Sequence, residues 1–309
     1  MSEGAGRTRR IAYALGLGCA APLAVALSCA PFDDAPGPAS PDGGADAPAS
    51  DGAPVGADGG PGLDAGGGAD ADAALEPPTA ACTVWFRGDR GVFLDGVSDG
   101  GVRRWDNQCT ASKLVPALAT LGGTVHPVVD GPPPGVAFRS PTPGATNFPV
   151  LTSGESADTV LTPPLTIYAA FRIDTSNGTV ANALLDVVGN RAGLGWEFGN
   201  GQLLFHVKSN GTTSLVGASA PAAVPKLYLV AGQLTASEIA LYLDDPVIPA
   251  NKTPVMAALP TLAGLSVGAS RVGNANLNGT IYEILGYSEA HDVDARKAVF
   301  DYLRARYRP

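Results

Sequence analysis

Leu165-Thr166-Ile167-Tyr168-Ala169-Ala170-Phe171-Arg172-Ile173 is the stretch from which the fold class is read. It alternates, placing Leu165, Ile167, Phe171 and Ile173 on one face, which is the two-residue period of a strand. Working outward, Gly193 to Phe198 and Gln202 to Lys208 flank Gly199-Asn200-Gly201, a hairpin signal. Lys226 to Leu234 and Glu238 to Leu243 flank Thr235-Ala236-Ser237, a second one. Leu262 to Gly268 and Gly279 to Tyr287 close the series. About a dozen short strands with no alternating helices predict an all-β fold, an antiparallel β-sandwich or jelly roll. Gly 40 and Pro 27 against Phe 9 and Met 2 agree with turn-rich β structure. One helix is predicted at the C-terminal end. Asp292 can cap it, Asp294 meets the positive end of its dipole, and Ala295, Ala298, Val299, Tyr302 and Leu303 form an apolar stripe. That stripe is expected to pack on the sandwich edge or staple the termini, in preference to binding lipid.

The net charge of −9 is confined to one segment. From Ala30 to Pro78 there are ten acids and no base, whereas from Thr79 onward 18 acids meet 17 bases. The part expected to fold is therefore near neutral. It has no basic stripe with interleaved aromatics, which excludes a nucleic-acid partner.

Arg7, Arg9 and Arg10 precede Ile11 to Ser28, eighteen residues without a charge, the layout of an export signal. The run is short for a membrane span of about 20 residues. It ends in Ala26-Leu27-Ser28-Cys29, similar to the lipobox of bacterial lipoproteins, so residues 1–28 are expected to be a signal peptide and Cys29 the lipid attachment. This implies an exported protein anchored in the cell envelope. Residues 33–75, within an expected disordered tether of residues 29–78, are almost entirely Ala, Gly, Asp and Pro with some Ser, a composition that cannot bury enough apolar surface to fold. As a flexible tether, the 49 residues from Ala30 to Pro78 would span about 35–42 Å. Cys82 and Cys109 remain in the predicted domain, residues 79–309. In an oxidising compartment they are expected to pair. His126, His206 and His291 offer no zinc-type spacing, and a metal reading of the cysteines is rejected.

The ends of this domain carry matching signatures. Near the start stands Val84-Trp85-Phe86-Arg87-Gly88-Asp89-Arg90-Gly91-Val92, and near the end Gly279-Thr280-Ile281-Tyr282-Glu283-Ile284-Leu285-Gly286-Tyr287, followed by the helix. Together they resemble the opening and closing segments of a laminin-G-like domain of the concanavalin A-like lectin/glucanase superfamily. Trp85, Arg87 and Asp89 fit the first pattern, and Gly279, Ile281, Glu283 and Tyr287 the second. Gly135-Val136-Ala137-Phe138 matches a further strand. The sequence departs from the pattern at Asp244-Asp245-Pro246, where an Asn-Gly usually follows the Leu-Tyr strand, which leaves that hairpin open.

The resemblance implies a β-sandwich whose relatives include both binding modules and glycan-cleaving enzymes, so fold alone does not fix function. The catalytic branch uses Glu-x-Asp-x-Glu on one strand, whose alternation aims all three carboxylates into a cleft. That spacing is absent here. The expectation is a non-catalytic recognition module for glycan or a protein surface. The alternatives are a polysaccharide-cleaving enzyme, with Glu197 the first suspect, and a purely structural envelope protein. Asn274, Asn276 and Asn278 offer alternating amides to a sugar or a calcium ion, calcium being the cofactor considered, although loop asparagines more often make turns. Arg87-Gly88-Asp89 spells an integrin-binding tripeptide but is better read as the end of a strand and its turn.

Overall fold

The computed structural model describes residues 76–308 apart from segments 95–99, 111–116, 121–125, 140–148, 154–159, 176–181, 190–191, 200, 210–212, 256–261 and 270–275. The signal and almost all of the tether expected from sequence, Cys29 included, lie outside the described residues. What is described is an antiparallel β-sandwich with a single C-terminal helix, as the alternation predicted.

The first sheet has eight strands. In spatial order they are Asn251–Pro254, Glu238–Leu243, Lys226–Leu234, Leu165–Ile173, Gly279–Tyr287, Gly135–Phe138 and Val128–Asp130, with Cys82–Arg87 as the eighth. The closing strand, Gly279–Tyr287, shares one edge between two partners. Gly279 to Ile281 pair with Gly135–Phe138, and Glu283 to Tyr287 pair with the opening strand, Cys82–Arg87. Where the two partners abut there is no room for side chains. There a Cβ on Gly88 would lie 2.5 Å from the Pro134 carbonyl oxygen; on the opposite edge of the closing strand, one on Gly279 would lie 2.1 Å from that of Arg172.

The second sheet has nine strands, running from Thr213–Pro221 through Gln202–Ser209, Ala192–Gly199, Asn182–Gly189, Ser266–Val267, Leu151–Thr152, Ala117–Thr120 and Val102–Asp106 to Val92–Leu94. The run Leu262 to Gly268 is thus not one strand: Leu262–Ala263 pairs with Val160–Leu161, while Ser266–Val267 joins the large sheet. Phe171, Phe205, Trp105, Phe86 and Phe138 fill the core between the sheets. The flanks of the sandwich are closed without a continuous ladder. On one side Thr253 Oγ1 and Asn251 Nδ2 donate to the Gly217 and Ser219 carbonyls at 2.7 and 3.0 Å. On the other, the Val102 amide donates to the Pro127 carbonyl at 2.6 Å.

Alternation assigns one face of Leu165–Ile173 to this core, and the structure buries the other face as well. Tyr168, Ala170, Leu229, Tyr242 and Leu285 form a second apolar layer, covered by the helix Val293–Tyr307 through Val299, Phe300, Tyr302, Leu303 and Tyr307. The helix therefore lies on the outer face of the first sheet rather than on an edge. Asp292 caps it as expected, accepting from the Ala295 amide at 2.8 Å. The buried stripe is rotated from the predicted one, with Arg296 and Phe300 inside and Ala298 exposed. Arg296 tolerates burial because its guanidinium donates to Pro246 O, Gln233 Oε1 and His291 O and lies 4.2 Å over the Tyr242 ring. The hairpin left open at Asp244-Asp245-Pro246 does form, with Glu238–Leu243 pairing Asn251–Pro254. Asp244 takes the left-handed conformation (φ 58°), and Asp245 accepts from the Val247 and Ile248 amides, so two aspartates do the work of Asn-Gly.

Cys82 and Cys109 form the expected disulfide, with Cα atoms 5.9 Å apart and 27 residues of separation, a loop size worth about 3–4 kcal/mol in chain entropy. At the other end of the opening strand, Glu283 is fully buried and accepts from Trp85 Nε1 (2.6 Å), Tyr302 OH (2.7 Å) and Tyr307 OH (2.7 Å). Arg306 Nε stands 3.9 Å away and also pairs with Asp89, which in turn holds buried Arg87 through two oxygens at 3.0 and 2.8 Å. Burial pushes the Glu283 carboxyl above its ordinary range, against the three donors that favour its charge. Asp89 is held below its ordinary range: its partial burial is outweighed by the hydrogen bonds and charge of Arg87 and by the charge of Arg306.

Glu283→Ala would leave three buried donors unmatched and is expected to cost about 3–5 kcal/mol in urea unfolding followed by tryptophan fluorescence. Glu283→Gln tests the sign of the shift. With the folded value raised, the wild type loses stability as pH rises above the ordinary glutamate value of about 4.3. Its advantage over Glu283→Gln should therefore shrink from pH 4 to pH 7; an advantage that grows would mean the folded value is lowered. Asp89 acts in the opposite sense. Its stabilisation is present above about pH 4 and fades as pH falls through its lowered folded value.

Candidate functional site

The residues singled out by sequence divide sharply. Trp85, Arg87, Asp89, Gly279, Glu283 and Tyr287 are structural, since they tie the opening strand, closing strand and helix together. Tyr287 OH donates to the Pro78 carbonyl at 3.0 Å. Arg87 is fully buried, which removes the integrin-tripeptide reading. Of the amide series, Asn274 lies outside the described residues. Asn276 is 1% exposed and bridges to Ala269, and Asn278 donates to Thr175 Oγ1 at 2.6 Å. The side chains of Asn276 and Asn278 therefore do not converge on one open loop rim. Glu197 sits opposite Leu204 in the second sheet, and its side chain is outside the described residues.

Glycoside hydrolysis needs two accessible carboxyl groups about 5–9.5 Å apart. Among the described side chains, every carboxylate except Asp294 is already engaged. Ion pairs hold Glu76, Asp89, Asp106, Asp130, Asp174, Glu238, Asp244, Glu289 and Asp301. Asp245 and Asp292 accept backbone amides, and Glu283 is sealed under the helix. His291 is buried against Tyr287 and Tyr168, and burial lowers it from the ordinary histidine value. Among the described residues no three His, Cys, Asp or Glu side chains converge as metal ligands.

One surface stands apart. At the free edge of the second sheet, Phe93, Leu94, Arg103, Arg104 and Ala119 line an open depression of about 450 Å³. Phe93 and Leu94 are 47% and 52% exposed, the largest rings and side chains of the core being hidden elsewhere. The register runs Phe93, Arg104, Ala119 across three strands. A bulge between Phe93 and Leu94 skips Arg103, so two consecutive arginines both reach solvent instead of alternating across the sheet. Asp106 holds Arg104 through both oxygens, at 2.7 and 2.9 Å, and its guanidinium lies 4.3 Å over the Phe93 ring. On the hidden side of the same hairpin, Trp105 is fully buried, with Nε1 donating to the Arg87 carbonyl at 2.8 Å. The platform is thus rigidly backed.

Sequence reasoning missed this patch. Val92-Phe93-Leu94 looks like a buried apolar run, and Arg103-Arg104 looks like a strand with one charge on each face. The usable signal was the pairing of those two facts, since adjacent arginines in a strand otherwise drive one charge inward.

No family model matches the chain, and no curated protein matches it. Solved structures do. The chain is similar to the binding domain of botulinum neurotoxin DC in complex with rat synaptotagmin II, at TM-score 0.52 and 11% identity over 73% of this chain and 52% of that one. It is also similar to a botulinum neurotoxin type C structure concerned with interaction with two ganglioside molecules (0.53, 10%, 75% and 53%) and to the serotype C1 binding domain (0.54, 11%, 73% and 52%). The likeness is one of fold. The chain spans about half the length of these toxin domains.

Because Phe93 and Arg103 touch no core, Phe93→Ala and Arg103→Ala should each change unfolding free energy by no more than about 0.5 kcal/mol. Trp105→Ala, one residue from Arg104 but fully buried, should cost about 3–5 kcal/mol in the same urea titration.

Proposed function

We propose that residues 79–309 are a non-catalytic recognition module, of the laminin-G-like kind, that binds glycan. The observation that supports this is the exposed Phe93 ring in an open, rigidly backed depression that Arg103 and Arg104 also line. A ring and an adjacent aliphatic side chain beside charged groups in a depression are the mix of apolar and polar lining from which ligand sites are built. The sandwich is also the architecture of botulinum neurotoxin binding domains solved in complex with SialylT and with rat synaptotagmin II. Asn274, Asn276 and Asn278 are kept as a separate, secondary candidate, with calcium as the ion to test.

We further propose that the module is exported and anchored by a lipid on Cys29, with residues 29–78 as its tether. The arginine-led apolar run and Ser28-Cys29 support this, and the Cys82–Cys109 disulfide agrees with an oxidising compartment. Among the described residues no helix is long and apolar enough to cross a membrane.

A glycan array probed with the full chain, with and without calcium, tests recognition. Binding without turnover, lost in Phe93→Ala, is the expected result; released oligosaccharide would mean an enzyme, and Glu197→Gln would then be the first variant to examine. Labelled palmitate in a bacterial host tests the anchor. Label should be absent from Cys29→Ser, and its persistence there would place the lipid elsewhere.

A further inference from the structure

Within that recognition reading, we infer that the saccharide is anionic and that Arg103 takes its acid group. The two arginines of the depression are not equivalent. Arg104 is neutralised by the bidentate carboxylate of Asp106 and laid against Phe93, so it serves as a fixed flank of the platform. Arg103 is displaced by the bulge into solvent, and among the described residues it has no carboxylate or side-chain hydrogen-bond partner. The contrast with the rest of the domain is sharp. Arg87, Arg139, Arg172, Lys226, Lys252, Arg304, Arg306 and Arg308 are all in ion pairs, and the other described cation without a partner, Lys297, lies on the exposed side of the helix.

A neutral sugar would use Phe93 and Leu94 through its C–H faces but would leave the guanidinium of Arg103 with no matching charge. A carboxylate or sulfate placed on a sugar ring satisfies both halves of the site. Its apolar face rests on Phe93 and Leu94, and its acid group meets a planar, permanently charged donor fork. Ala119, on the third strand of the row, leaves space on the far side of Arg104 from Phe93, within the same depression. The volume of about 450 Å³ falls in the range of small-ligand sites, roughly 300–1,000 Å³.

Affinity electrophoresis of the full chain in gels containing polygalacturonate, dextran sulfate or neutral dextran tests the inference. At least one acidic polymer should retard the wild type, and which of the two does so distinguishes a carboxylate from a sulfate ligand. Retardation should weaken as salt is raised. Arg103→Ala should reduce affinity about tenfold, consistent with the loss of one charge-assisted hydrogen bond, while Arg103→Lys retains most of it and both variants keep the wild-type unfolding midpoint. Retardation by dextran that depends on Phe93 and not on Arg103 would overturn the anionic ligand while leaving the recognition site standing. Retardation by an acidic polymer that survives both Phe93→Ala and Arg103→Ala would overturn the site itself. No retardation of the folded wild type by any of the three polymers would overturn the inference and, taken with a blank glycan array, the saccharide reading as well, pointing to a protein partner.

Discussion

The Glu283 carboxylate, buried between sheet and helix, is the interaction on which the rest of the structure depends. Its three donors come from the opening strand (Trp85) and from the last two turns of the helix (Tyr302 and Tyr307), while Glu283 itself belongs to the closing strand. A buried acceptor of this kind selects one arrangement, because any other leaves a charge or several donors stranded in an apolar layer. A one-residue slip of the opening strand would turn Trp85 towards the other sheet and Phe86 towards the helix. The register of both terminal elements and the docking of the helix are thus one decision. The Arg87–Asp89–Arg306 chain extends the same logic to the rim of the layer.

This explains what the sequence made legible. The residues that carry the laminin-G-like resemblance are those that make or flank this network, together with Gly88 and Gly279 where backbones pass too closely for a side chain. Such positions admit few alternatives, so short patterns reveal them. The same reason makes them uninformative about ligand: they are consumed by the fold. Period-two alternation found the central strand, and turn residues found the hairpins. What alternation could not show was that the first sheet is buried on both faces, because Thr166 and Tyr168 look like solvent residues until the helix and the segment leading into it are placed over them. For the helix, the apolar count drew the stripe through Ala295 and Ala298, whereas the real stripe admits Arg296, whose carbonyl and amide partners lie far away in sequence.

The candidate site was hidden for a different reason. Its exposure depends on a single inserted residue in one strand pairing, a feature set by which strands meet and not by composition. Without the bulge, Arg103 and Arg104 would point to opposite faces, and one of them would face Trp105's side of the sheet. The asparagine series shows the converse. A run that looked like a ligand rim in one dimension is divided by the fold, with Asn276 turned into the domain and Asn278 committed to Thr175.

The disulfide has a mechanical side. Phe93, Leu94, Arg103 and Arg104 all lie within the covalent ring closed by Cys82 and Cys109. Tension applied between the N-terminal side of Cys82 and the Phe93 hairpin therefore divides between two arms of that ring. One arm is the opening strand and the other is the path through Cys109. Neither arm can be drawn out past the sulfur bridge, so peeling the opening strand from the closing strand would not by itself extend the chain beyond that ring. A hairpin at a free sheet edge is ordinarily the first part of a sandwich to yield under load; here it lies wholly inside a covalently closed ring.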